Sequence, residues 1–123
     1  QKIYIMDTNV KQEEKRVFKP YDAAKINEHA AKCGGKRNLR ELIISTDDNE
    51  EFHYLVKKPS RAIMQAVASS EQKKDIDSTQ RLMLGCVLEG DKEAYEHDGS
   101  IYVNLLKGIG ELAHIANQEL KKI

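Results

Sequence analysis

The chain has 123 residues, enough for one core but not two independent ones. Its 20 basic and 20 acidic side chains cancel, so it carries no global charge with which to attract nucleic acid or an anionic membrane. No run of 18 apolar residues occurs, which excludes a membrane-spanning helix from this sequence.

In chain order, Lys2 to Met6 is a short β-prone run, and the polar stretch from Asp7 to Lys19 has so little apolar content that it is expected to be exposed or loosely ordered. Gln1 in first position implies a start codon or tag upstream, with Met6 an alternative start. Asp22 is a good N-cap for a helix over Ala23 to Cys33, ended by Gly34 and Gly35. From Leu39 the period changes. Two apolar runs, Leu42 to Ile44 and Phe52 to Val56, flank a polar turn from Thr46 to Glu50 and predict a β-hairpin near 40–57. The turn's acids do not make a calcium loop, because its glycine and distant bidentate glutamate are missing.

Beyond the hairpin, Ser60 caps an expected helix from Arg61 to Ala68, followed by a polar break over Ser69 to Asp75. Asp77 or Ser78 then caps a helix carrying Leu82, Met83, Leu84, Cys86, Val87 and Leu88. A helix so apolar on every side belongs at the centre of its domain. The last helix is expected to start near Asp98 or Ser100 and to run to Lys121, with apolar positions 102, 105, 106, 109, 112, 113, 116 and 120. Gly108 and Gly110 within it suggest a bend or the close approach of another backbone. The expected fold is α+β: a hairpin packed on a C-terminal bundle of about three helices, with an extra N-terminal helix. A single domain over 1–123 is expected, with a loosely ordered 1–21, an N-terminal helix and first hairpin strand over 22–51, and a core over 52–123.

Catalytic chemistry finds little support. His29 and Cys33 are spaced i, i+4, half of a zinc site, but Cys86, His53, His97 and His114 offer no second paired spacing, so no metal is expected. Cys86 lies among leucines and methionine with no cation nearby in sequence, where a thiol is inert. The carboxylates Glu89, Asp91, Glu93, Glu96 and Asp98 are read as a solvated turn. Neither Gly34-Gly35 nor Gly108-Ile109-Gly110 follows a strand as a phosphate loop does, and no cofactor is expected. Two cysteines are too few for a disulfide framework and favour a reduced, cytoplasmic protein. Residues 1–46 hold ten basic and six acidic side chains. Lys36, Arg37 and Arg40, with Lys57, Lys58 and Arg61, form a candidate basic patch for nucleic acid.

A strand ending in Lys57-Lys58-Pro59-Ser60-Arg61, the run Leu82 to Leu88 with Cys86 before Glu89-Gly90-Asp91, and the close Glu119-Leu120-Lys121-Lys122-Ile123 stand in a familiar order. This order resembles the small tail assembly chaperones of long-tailed phages and prophages, over roughly residues 52–123. Residues 1–51 depart from that pattern. The resemblance implies a non-enzymatic protein that binds the helical tape-measure protein, or another tail protein, in the bacterial cytoplasm, and that self-associates. The long terminal helix can offer an apolar groove to client helices, and Leu105, Leu106, Ile109 and Leu112 are its candidate client-binding residues. The alternatives are a small phage or mobile-element protein binding nucleic acid through the basic patch, and a structural or adaptor protein of the virion.

Overall fold

A computed structural model describes residues 14–123; the β-prone run from Lys2 to Met6 lies outside the described residues. The elements follow the order β1 (Arg16–Phe18), α1 (Ala23–Lys32), a single 3-10 turn (Lys36–Asn38), β2 (Leu39–Ser45), β3 (Glu50–Lys57), α2 (Arg61–Gln72), α3 (Ile76–Leu84), β4 (Val87–Glu89), α4 (Lys92–His97) and α5 (Gly99–Leu112). The fold is α+β, with several helices around a mixed four-stranded sheet.

The hairpin forms as expected, in an unbroken antiparallel register from Leu39 opposite Lys57 to Ser45 opposite Glu51. Its turn contains no glycine. Asn49 supplies the left-handed residue (φ 61°), and the Thr46 N–H donates to the Glu50 carbonyl at 3.0 Å. On β3, Phe52, Tyr54 and Val56 face α5, where they form the main core with Ile44, Cys86, Ile101, Leu105 and Ile109. Leu55 faces the other way, against Leu39 and Ala30 of α1. Tyr54, Leu55 and Val56 are 0%, 1% and 0% exposed, so this strand is covered on both faces, where a strand with one wet face would alternate.

Each helix starts at a side-chain cap. Asp22, Ser60, Asp75, Asp91 and Asp98 accept from a backbone N–H two or three residues on, each such cap worth about 1 kcal/mol. The caps of α1 and α2 are those the sequence indicates, and Asp98, the first of the two starts it offers for α5, is the cap there. The α3 cap is Asp75, not Asp77 or Ser78, because α2 runs on through the supposed polar break to Gln72. Ser70 makes that extension possible. It is buried, donates to the Val67 carbonyl at 3.0 Å and pairs with the Thr79 hydroxyl at 2.6 Å, which joins α2 to α3.

Four further expectations are corrected. Leu82 to Leu88 is not one helix: α3 stops at Leu84, and Val87 turns into β4, opposite Val56 on β3. Lys57 N–H donates to the Cys86 carbonyl at 2.9 Å, so the free edge of β3 draws Val87 and the two residues after it into strand. The stretch 7–19 is not all loose, since Arg16–Phe18 pairs in parallel with β3. Phe18 stacks on Phe52 with ring centroids 4.7 Å apart, and Lys15 and Arg16 pair with Glu51 and Glu50. The acidic turn after Gly90 contains the short helix α4. Finally, α5 ends at Leu112, well short of Lys121. By Leu112 the chain has reached the end of the sheet beside Asn38 and Lys57, and further on nothing covers Leu120, which is 92% exposed.

Two glycines are required where elements touch. A Cβ on Gly108 would run into Leu42 Cδ1, so the glycine lets α5 lie close on β2; the approach is by a side chain, not a backbone. A Cβ on Gly90 would enter the Tyr54 ring, and its φ of 143° is one that other residues rarely adopt. Gly108→Ala is expected to lower stability by about 1–3 kcal/mol and Gly90→Ala by at least as much, through overpacking. Gly99→Ala, at the open first position of α5, should cost nothing measurable. Urea unfolding of the three variants checks the order.

Candidate protein-binding cleft

The end of β3 is held between two segments. Lys57 N–H donates to the Cys86 carbonyl, and Lys58 N–H donates to the Asn38 carbonyl at 2.8 Å. Pro59 then turns the chain away from the sheet, and Ser60 accepts from the Ile63 N–H at 3.2 Å to begin α2. Leaving at this angle, α2 does not lie flat on α5. Between them runs a cleft of two adjoining hollows, about 450 and 260 Å³, which share Pro59, Met64 and Ala113.

The inner hollow is floored by Cys86 and Ile109 and walled by Ile63, Val67 and Met83. The outer one opens past Leu112, Ile115 and Ala116, with Lys57 and Lys58 on its rim. Met64 projects at the mouth, 36% exposed. Methionine side chains are unbranched and polarizable, and refit to differently shaped apolar surfaces. The Cys86 thiol is wholly buried, and burial pushes its pKa up despite the nearby Lys57 ammonium, so it stays protonated.

The candidate stripe on α5 divides. Leu105 and Ile109, read as candidate client-binding residues, are 0% exposed and belong to the core, although Ile109 also floors the inner hollow. The helix turns them onto Tyr54 and Val56 because that face is the one covering the sheet. Leu112 remains half-buried and lines the cleft, and Leu106 lines a separate hollow beside Ile76 and Met83 of α3. The cleft residues that sequence reasoning passed over are Pro59, Ile63, Met64 and Val67. Their signal was an i, i+1, i+4 apolar stripe on α2, visible in the sequence as Ile63, Met64 and Val67.

The two basic clusters do meet, since the Lys58–Asn38 hydrogen bond sets Lys36 and Arg37 beside the end of β3. They do not share one face. Arg40 lies opposite Val56 on the α5 side of the sheet, and its guanidinium donates to the Arg37 and Leu39 carbonyls. Lys57 lies opposite Leu39 on the α1 side, and Arg61 is exposed at the start of α2. Among the described residues none of the six cations forms an ion pair.

His29 pairs with Glu89 at 2.8 Å, not with Cys33, and among the described residues no three metal-ligating side chains are grouped. On the α1 side of the sheet, Glu41 accepts from the Tyr21 hydroxyl at 2.7 Å and from Lys19 at 3.3 Å. His53 Nε2 meets Glu51 at 2.9 Å, while its buried Nδ1, 3.9 Å from Glu41, makes no hydrogen bond. No described helix is long and apolar enough to cross a membrane. No protein-family model, curated protein or solved structure matches the chain.

The Tyr21 hydrogen bond, with Lys19 adding, holds the Glu41 carboxyl below its ordinary pKa, and the His53 hydrogen bond does the same for Glu51. A lowered folded-state pKa gives stability that is complete above the unfolded value and is lost as pH falls through the folded one. The urea midpoint is therefore expected to be level above about pH 5 and to drop below about pH 4. Glu41→Gln should make that acid limb shallower, as urea titrations at stepped pH would measure.

Proposed function

We propose that the protein is a non-enzymatic assembly chaperone of the phage-tail type, which holds an apolar helical segment of a tape-measure protein in the cleft between α2 and α5. The observation that carries this reading is the cleft: an apolar trough with a methionine at its mouth and two lysines on its rim. Some of the residues behind the family resemblance line it. Lys57, Lys58, Pro59 and Ser60 line one hollow and Cys86 floors the other. A helix laid in the trough would bury its apolar stripe against Met64, Ile63 and Leu112, the helix-in-groove mode of recognition. The rim lysines favour a client with acidic residues beside that stripe. On this reading the protein works in the cytoplasm of the bacterial host and leaves before the particle is complete.

A second reading is nucleic-acid binding, favoured by the Lys58–Asn38 hydrogen bond that brings the two basic clusters together. The two readings differ in salt dependence, because phosphate contacts weaken steeply as salt rises whereas apolar docking does not.

The test is capture from nuclease-treated, phage-producing cells, with bound proteins identified by mass spectrometry. Recovery of one very long, helix-rich protein is expected. Met64→Lys, at a side chain already partly in water, should leave the fold intact and cut recovery at least about tenfold, the effect of one lost anchor. Recovery of capsid or tail-shell proteins alone, or recovery unchanged in Met64→Lys, would count against the chaperone reading. Nuclease-sensitive retention that collapses with salt would favour the second.

A further inference from the structure

We propose that the outer edge of β2 pairs with the same edge of a second copy of the chain, antiparallel about a two-fold axis at Ile43. The two four-stranded sheets then become one. This inference is independent of what the cleft binds.

Among the described residues β2 is bonded on one side only, to β3. The Thr46–Glu50 hydrogen bond sets the alternation. Residues 40, 42 and 44 exchange bonds with β3, which leaves the N–H and C=O groups of Glu41, Ile43 and Ser45 directed outward. Natural sheets blunt such an edge with proline, inward charge or a bulge. Arg40 covers the Leu39 carbonyl at the start of this one, but its middle is Leu42-Ile43-Ile44 in regular register, with Ile43 53% exposed.

Charge identifies the occupant. The strand is preceded by Lys36 and Arg37 and followed by Asp47 and Asp48, all exposed and, among the described residues, without an ion pair. An antiparallel copy lays the acidic end of each strand along the basic end of the other, whereas a parallel copy would set like charges side by side. With Ile43 opposite itself, Glu41 faces Ser45, and the acidic turn that follows each β2 lies toward the basic 3-10 turn that precedes the other. The same edge on both copies makes the contact self-complementary, so it closes at two chains. Beside β2, on the α5 face, lies a hollow of about 320 Å³ lined by Lys107, Gly108 and Glu111. The two-fold sets the α5 helices of both chains on the same face of the joined sheet.

Sedimentation equilibrium of the full chain is the test, and twice the chain mass is expected. Ile43→Lys, at an exposed position, should keep the far-UV spectrum and weaken the dimer at least about tenfold. Arg37→Glu should also weaken it, and Arg37→Glu with Asp48→Lys in one chain should restore it by exchanging the two ends. A single-chain mass up to about 100 μM would overturn the proposal, that being the weak end of specific association. So would a dimer indifferent to Ile43→Lys, or a charge exchange that fails to restore it.

Discussion

Because β1, β2 and β4 all pair with β3 and none pairs with another, burying Tyr54, Leu55 and Val56 on both faces at once is the constraint to which the rest of the chain is fitted. A strand covered on both sides needs a layer on each. The long apolar helix α5 supplies one, and α1, with its thin alanine and isoleucine stripe, supplies the other. Tyr54 adds a demand of its own. Its buried hydroxyl must find an acceptor, and it donates to the Asp91 carbonyl at 2.7 Å. That bond fixes the turn at Gly90, whose missing side chain leaves room for the ring, and Asp91 in turn caps α4. One buried aromatic residue thus ties the central strand to the loop that launches the last two helices.

The cleft follows from the same constraint. The chain must leave β3 at Lys58, where both neighbouring segments, Asn38 and Cys86, already hold its end. Proline at position 59 directs the departure, and the Ser70–Thr79 hydroxyl pair anchors the far end of α2 to α3 instead of to the sheet. The helix is therefore pinned at both ends and stands away from α5 between them. An apolar trough is what remains when two helices with apolar stripes are held slightly apart. Filling it with larger side chains would give a better-packed chain and close the trough.

How much of this could be read from residues depended on whether the deciding interaction was local. The hairpin, the Asp22, Ser60 and Asp98 caps and the Gly34-Gly35 stop were legible because a cap or turn is settled within four residues. Leu82 to Leu88 was misread because its fate depends on an unpaired edge of β3 some thirty residues earlier, which no local pattern records. Val17 and Phe18 in a charged stretch were too few to signal a strand, although β3 needed only three residues to complete its other edge. On α5 the period was right and its meaning was not. Helical spacing identifies an apolar face, yet the sheet takes Leu105 wholly, shares Ile109 with the cleft floor and leaves Leu112 at the cleft. The cleft itself arises from two elements meeting, and half of it lay on α2, whose apolar stripe has no partner that a sequence names.

The two short strands make different demands on the chain from the hairpin. β2 and β3 close over a tight turn, whereas Arg16 reaches Glu50, and Glu89 reaches Leu55, only across much of the sequence. Distant pairings come late in folding because loop closure must precede them, and strands of three residues have little to hold them afterwards. Amide protons bonded between β2 and β3 should therefore exchange slowly, while β1 and β4 open on their own well below the free energy of global unfolding. When β4 lifts, Lys57 loses the carbonyl of Cys86, and that sealed thiol meets solvent. Its rate of alkylation is a built-in gauge of how often the floor of the cleft gives way.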